Sequence, residues 1–96
     1  MKHALISTAL AVGLAMTAPV HAAECYADYK AKQDNPLRLH YGVVQVTGAC
    51  SIGAAQSEIA PRLARGGWTL LNVISVFGPE GLAQRKDNAG SYYLRF

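Results

Sequence analysis

Hydrophobic and polar residues alternate from Leu37 onward, which is the pattern of a half-buried β-strand. Apolar residues occupy every second position up to Val43, and the phase then shifts by one residue at Val44. This shift predicts a strand with a β-bulge near those two valines. The preceding segment Cys25–Lys32 predicts a first strand or, alternatively, a short helix, and Gln33–Pro36 has the composition of a turn.

A helical period replaces this alternation after Ser51, which is a suitable N-cap residue. Four apolar residues recur at helical spacing: Ile52, Ala55, Ile59 and Leu63. Pro61 predicts a kink unless a new turn begins there, because proline cannot donate to the carbonyl four residues earlier. Gly66-Gly67 predicts the helix end. The pattern therefore indicates one amphipathic helix.

Trp68–Phe77 is the most hydrophobic stretch outside the first 22 residues. It is rich in β-branched and aromatic side chains, which predicts a central strand. Both faces of this strand are apolar, whereas one helix covers only one face of a small sheet. The other face must meet the N-terminal segment or another subunit, or else stand exposed.

Residues 78–90 (GPEGLAQRKDNAG) predict a long loop, and residues 91–96 alternate as a last strand. In that strand Tyr92, Leu94 and Phe96 share one face, and Tyr93 and Arg95 share the other. Together the elements predict an α+β fold. We expect a small antiparallel sheet of three to four strands with one helix packed on one face, in the order β-β-α-β-β.

The first 22 residues have the pattern of a bacterial signal peptide. Lys2 precedes a largely apolar stretch, and small residues around Ala22 suit cleavage. The apolar run is shorter than the roughly 20 residues of a spanning helix, so we expect no stable membrane anchor. Lipid attachment at Cys25 is disfavoured because Glu24 stands where a small residue is needed. The sequence predicts a periplasmic or secreted single domain over residues 23–96.

Only two cysteines, Cys25 and Cys50, follow the predicted leader. An even number in an oxidising compartment predicts a disulfide. A tight turn at Asn35-Pro36 would pair Cys25 with Val46, so the bridge requires a longer loop or a Cys50 that lies past the strand end. A redox or metal site lacks the C-x-x-C spacing, and His40 is the one further soft ligand.

Charge excludes a nucleic-acid partner. The predicted mature chain has eight basic and six acidic residues, a balance of +2. Apart from the pair Arg85-Lys86 the basic residues are scattered singly, so no basic stripe is available to phosphates.

Catalytic chemistry has little support in the sequence. Gly48 and Gly53 are spaced as in a phosphate loop, but alanines stand where lysine and a hydroxyl residue are needed. His40 is the single histidine after the leader, and both cysteines are expected to be oxidised. We interpret His40 as a residue on the polar face of a strand. A hydrolase that uses His40 is the weakest of three hypotheses, and the sequence predicts no enzyme, no cofactor and no metal.

A protein-binding role is the preferred hypothesis. The two-sided hydrophobicity of Trp68–Phe77 favours an interaction module that self-associates through the second face of its sheet. The alternative is a secreted inhibitor of an envelope or competitor enzyme that acts through the loop 78–90. The candidate interaction residues are Arg85, Lys86, Asp87, Tyr93 and Arg95.

The element order resembles the small bacterial domain-of-unknown-function family 4177. In that family a Gly-Trp-(Glu)-Leu-Val element follows a helix, and a strand with Tyr-Tyr closes the sheet. Gly67, Trp68 and Tyr92-Tyr93 match these motifs, whereas Thr69 replaces the acidic residue common there. The resemblance covers Leu39–Phe96; the leader, the cysteines and the N-terminal segment are additions. It implies an α+β fold and no activity.

Overall fold

The computed structural model describes residues 24–96, so the predicted signal peptide lies outside the described residues. The elements are three strands, two helices and two 3-10 turns. In chain order they are β1 (Cys25–Gln33), β2 (Arg38–Val46), α1 (Ile52–Arg65), β3 (Thr69–Phe77), a 3-10 turn (Pro79–Gly81), α2 (Ala83–Ala89) and a second 3-10 turn (Gly90–Tyr92). The α+β class is therefore confirmed.

The three strands form one antiparallel sheet in the order β2-β1-β3. β1 lies in the centre, so the prediction that residues 68–77 form a central strand is wrong: β3 is an edge. Hydrophobicity misled here because several apolar residues of β3 are not buried in the sheet. Leu71 and Ile74 are 48% and 42% exposed.

The β1–β2 hairpin pairs Cys25 with Val46 and turns through residues 34–37. Cys50 lies past the end of β2 and forms the predicted disulfide with Cys25, with their Cα atoms 5.8 Å apart. The predicted bulge at Val43 and Val44 is absent, because β2 pairs with β1 in unbroken register. Both valines are fully buried on opposite faces of the strand. The phase shift in the sequence thus reflects a sheet that is covered on both faces.

Helix α1 covers the first face of the sheet. The Ser51 hydroxyl accepts a hydrogen bond from the Ala54 N–H at 3.2 Å, which confirms the predicted N-cap, and Gly66 is the C-cap. Pro61 lies inside the helix, which runs through it to Arg65. The buried side of α1 packs most closely against β3 and also contacts alternate residues of β1 and β2. The fully buried contacts include Ala55, Ile59 and Leu63 on the helix and Ala27, Tyr29, Ala31 and Val44 on the strands.

The second face of the sheet is covered by residues that the sequence predicted as a loop. Residues 78–90 instead form a 3-10 turn and α2. The prediction of a single helix is therefore wrong, and so is the β-β-α-β-β order. The cause is a long-range contact: Arg85 on α2 forms an ion pair with Asp28 in the middle of β1, with 3.1 Å between Nε and Oδ2.

The predicted last strand is also absent. Residues 93–96 follow the second 3-10 turn as an irregular tail, and one parallel bridge joins Tyr93 to Val43 on the outer edge of β2. The Leu94 N–H donates to the Val43 carbonyl at 2.7 Å. Tyr92 and Phe96 pack against the core formed by α1 and the sheet. The tail therefore closes the β2 edge.

Candidate interaction surface

The outer edge of β3 is irregular and apolar. Ser75 pairs with Asp28 and Val73 with Tyr29, so Ile74 between them has no partner on β1. A second register shift leaves Leu71 without a partner in the same way. A bulge re-aims the side chain of the extra residue. Leu71 and Ile74 are the extra residues, and both are large exposed hydrophobic side chains.

A groove of about 540 Å³ separates this edge from α1. Its helix side consists of short or uncharged residues, and its strand side is the start of β3 with the residue before it. The lining residues are Gly53, Gln56, Ser57, Ala60 and Ala64 from α1, and Trp68, Thr69, Leu70 and Leu71 from the strand side. We name these residues together with Ile74 the β3–α1 surface. It carries no ionisable side chain.

Arg85 was predicted to lie exposed at a loop tip, but it is an internal anchor. Its Nε donates to Asp28 and its Nη1 donates to the Gly81 carbonyl at 2.8 Å. Its guanidinium also lies 3.9 Å from the ring centroid of Phe77. These contacts hold α2 on the sheet. Arg85 is therefore less available to a partner than its position in the sequence suggested.

Asp28 is 95% buried, and both of its carboxylate oxygens accept hydrogen bonds. Besides Arg85 it accepts hydrogen bonds from the Ser75 hydroxyl at 2.7 Å and the Tyr41 hydroxyl at 2.8 Å. Burial alone would raise the pKa of Asp28, but the bonds from Ser75, Tyr41 and Arg85 outweigh it and hold that pKa below its usual value. Burial, followed by the bond to Asp28, raises the pKa of Tyr41 to about 12. This cluster is a satisfied polar core.

The other predicted interaction residues lie in two places. Lys86 and Asp87 are exposed on α2, and the Lys86 ammonium lies 5.5 Å from the ring of Tyr93, which the structure thus brings next to α2. Arg95 lies on the tail, with its guanidinium 5.3 Å from the ring centroid of Tyr92. Arg85 differs from these residues because its guanidinium is engaged with Asp28.

His40 is buried, so its interpretation as a residue on the polar face is wrong. It faces α1 and is 8% exposed. Its ring stacks on Tyr92 at 3.7 Å between centroids and meets the edge of Trp68 at 4.2 Å. Alternation missed this because His40 occupies an inward position where an apolar residue is usual. Gly66, the C-cap of α1, leaves room for Phe96, whose ring completes the aromatic cluster around His40.

The imidazole of His40 has one hydrogen bond. Its Nε2 lies 2.8 Å from the Tyr29 hydroxyl, while Nδ1 is buried and has no partner among residues 24–96. Burial, and then the cation of Arg95, lower the pKa of His40 to about 4. Burial raises the pKa of Tyr29. Both groups are neutral at pH 7, and their bond joins β1 to β2 within the aromatic core.

Comparison with known protein families, curated proteins and solved structures found no match. The resemblance to family 4177 therefore stays a hypothesis. Within residues 24–96 no helix is long and apolar enough to cross a membrane. Over the same range, no three His, Cys, Asp or Glu residues are grouped so as to hold a metal ion.

Proposed function

We propose that this protein is an exported, non-enzymatic interaction module that associates with a second copy of itself through the β3–α1 surface. The observation that carries the proposal is the pairing of two exposed apolar residues, Leu71 and Ile74, with an open groove beside them. This surface differs from the second sheet face considered from the sequence, because α2 covers that face.

Neutrality of the surface favours self-association. In a two-fold dimer the same patch meets itself, so charges in the patch would face like charges. The chain that follows the predicted leader has an excess of two positive charges, yet none lies on the β3–α1 surface. A stable dimer buries about 800 Å² on each partner. The groove, with the exposed Leu71 and Ile74 beside it, is the part of the described surface proposed to be buried in such a contact.

The bulges decide how the two copies meet. Sheet edges are commonly protected by lysine, proline or bulges. β3 contains neither lysine nor proline, and its two bulges break the regular backbone ladder into short pieces. Long strand pairing is therefore disfavoured. The contact rests on side chains, with Leu71 of each copy seated against the small α1 residues Ala60 and Ala64 of the other.

Export is the second part of the proposal. The leader pattern supports it, and a disulfide between Cys25 and Cys50 is compatible with an oxidising compartment. The alternative function, an inhibitor that presents residues 78–90, receives less support because Arg85 is engaged within the fold.

Light scattering on the mature protein at tens of micromolar tests the dimer. Leu71→Lys places a charge in the groove and should give a monomer, whereas the matched change Leu39→Lys should leave the dimer intact. Leu39 is 65% exposed and lies outside the β3–α1 surface, so it controls for the added charge. A wild-type monomer that binds no hydrophobic dye at this concentration would refute the proposal.

Cross-linking in the native envelope, followed by mass spectrometry, tests it in the cell. We expect cross-links between two copies of the chain within residues 53–74. Cross-links from α2 to an unrelated enzyme would favour the inhibitor hypothesis instead.

A further inference from the structure

The end of the chain forms a strap across the β2 edge. We use this name for residues Tyr92–Phe96. The strap has one backbone hydrogen bond to β2, from the Leu94 N–H to the Val43 carbonyl. Leu94 has a positive φ of 56°, a conformation that residues with a Cβ seldom adopt. The backbone alone therefore holds the strap weakly.

Ring contacts with His40 add to this attachment. Tyr92 stacks on the imidazole with 3.7 Å between centroids and 10° between planes, and Phe96 follows at 6.1 Å and 17°. On its other side Phe96 fills the space above Gly66, where an added Cβ would lie 2.6 Å from the ring. The strap thus rests on His40.

The site around His40 accepts only a neutral imidazole. A protonated ring carries an N–H on both nitrogens, but Nδ1 has no acceptor among residues 24–96. The groups that face the ring are the neutral Tyr29 hydroxyl from β1, the indole of Trp68, and Tyr92 and Arg95 from the strap.

The electrostatic surroundings agree with this geometry. Burial and the Arg95 guanidinium both lower the pKa of His40, and no carboxylate of residues 24–96 contributes to that pKa. Arg95 belongs to the strap itself, so a positive imidazole would repel the segment that covers it.

We propose that the strap is an acid-sensitive closure: protonation of His40 detaches Tyr92–Phe96 and opens the outer edge of β2 while the rest of the fold persists. Detachment moves Arg95 away from the imidazolium and lets water reach Nδ1. The open strap is the state that a proton stabilises, because the closed strap has no place for the charge. The proposal does not depend on the dimer, but Trp68 belongs to both sites because it lines the β3–α1 groove and also contacts His40, so strap opening is measured in the Leu71→Lys background.

Trp68 reports the opening directly. It is the single tryptophan of the chain, and its ring lies 4.2 Å from His40 and 5.6 Å from Tyr92. We expect the emission of Trp68 to shift to longer wavelength as the pH is lowered from 7 toward 4, because the imidazole of the open strap binds a proton at its ordinary pKa near 6.5 whereas the closed site binds it only at about 4. Amide exchange at Leu94 should accelerate in the same range, while far-UV circular dichroism should keep its neutral-pH shape.

Two variants test the assignment to His40. His40→Phe keeps an aromatic ring that cannot be protonated, so the shift of Trp68 emission should disappear between pH 7 and pH 3.5. Arg95→Gln removes the cation that repels the imidazolium, so the closed strap tolerates the proton better and the midpoint of opening should move to lower pH without loss of the neutral-pH fold. The second variant decides the question if His40→Phe does not fold.

Three results would overturn the proposal. They are a Trp68 emission that is constant down to pH 3.5, an emission that changes only together with circular dichroism, and an unchanged midpoint in Arg95→Gln.

Discussion

One outer edge of the sheet is covered by the chain itself, and the other is exposed. The outer edge of β2 is closed by the strap, with a backbone bond from Leu94 and stacked rings over His40. The outer edge of β3 has no such cover within residues 24–96, and it exposes Leu71 and Ile74 beside a groove. A chain of this size that closes one edge with its own tail and leaves the other apolar offers a partner one surface. The edge left for a partner is therefore that of β3.

The largest expected loss of stability comes from removal of the indole of Trp68. Trp68→Ala removes a side chain that is 9% exposed and packs against His40 and Tyr92. Truncation of a buried aromatic residue costs about 3 to 5 kcal/mol. Urea unfolding followed by circular dichroism measures this loss. A change below about 1 kcal/mol would show that the indole adds little to the closed edge.

The second effect is the pH dependence of stability. The pKa of His40 falls from an ordinary value of 6.5 to about 4 on folding. The unfolded chain therefore binds the proton first, and stability present above pH 6.5 is lost as the pH falls toward 4. One pKa unit corresponds to about 1.4 kcal/mol, so the loss reaches about 3 kcal/mol. Urea unfolding at pH 7 and pH 4.5 should show most of it.

His40→Phe is the control for this pH dependence. In this variant the free energy of unfolding should change little between pH 6.5 and pH 4.5. The lowered pKa of Asp28 acts in the same sense but at lower pH: its contribution is present above the unfolded pKa and is lost only as the pH falls through a lower folded value. A dependence that persists in His40→Phe would assign the effect to another group.

The third effect is the loss of stability caused by crowding Tyr29, whose hydroxyl is hydrogen-bonded to His40. A Cβ at Gly42 would collide with the hydroxyl and ring of Tyr29, which is completely buried and has no room to move. Overpacking of this kind costs about 1 to 3 kcal/mol. Gly42→Ala should lower the free energy of unfolding by that amount, and Gly53→Ala is the matched control because nothing lies within 4 Å of its added Cβ.

The smallest effect on stability should come from the open edge. Leu71→Lys changes an exposed residue, and such changes usually alter the free energy of unfolding by less than about 0.5 kcal/mol. The same variant should nevertheless abolish the dimer, whereas Leu39→Lys should change neither property. A large loss of stability in Leu71→Lys would mean that this residue belongs to the fold of the monomer.

Local signals in the sequence were sufficient where the structure is local. The Ser51 cap, the end of α1 at Gly66-Gly67 and the pairing of the two cysteines all follow from residues close together or from compartment and number. The hairpin register, with Cys50 past the strand end, was one of the two alternatives derived from the position of Asn35-Pro36.

The predictions that are wrong concern regions whose structure depends on long-range contacts. Residues 78–90 have the composition of a loop. They form α2 because Arg85 pairs with Asp28, which lies 57 residues earlier in the chain. Tyr92, Leu94 and Phe96 alternate as in a strand, but rings of the first and last stack on His40 instead of lining a sheet. The adjacent valines Val43 and Val44 are both buried because the two faces are covered by different helices, which periodicity alone does not distinguish from a bulge.

Under the proposed export, the position of the disulfide sets the order in which the domain assembles. Cys25 and Cys50 enclose the β1–β2 hairpin and nothing more, and Cys50 precedes the first residue of α1. In the proposed export the chain emerges from its N-terminal end, and both thiols would reach the oxidising side before either helix, β3 or the strap. Oxidation therefore joins a hairpin whose two faces are still bare. The later segments arrive on a template that is already covalently closed.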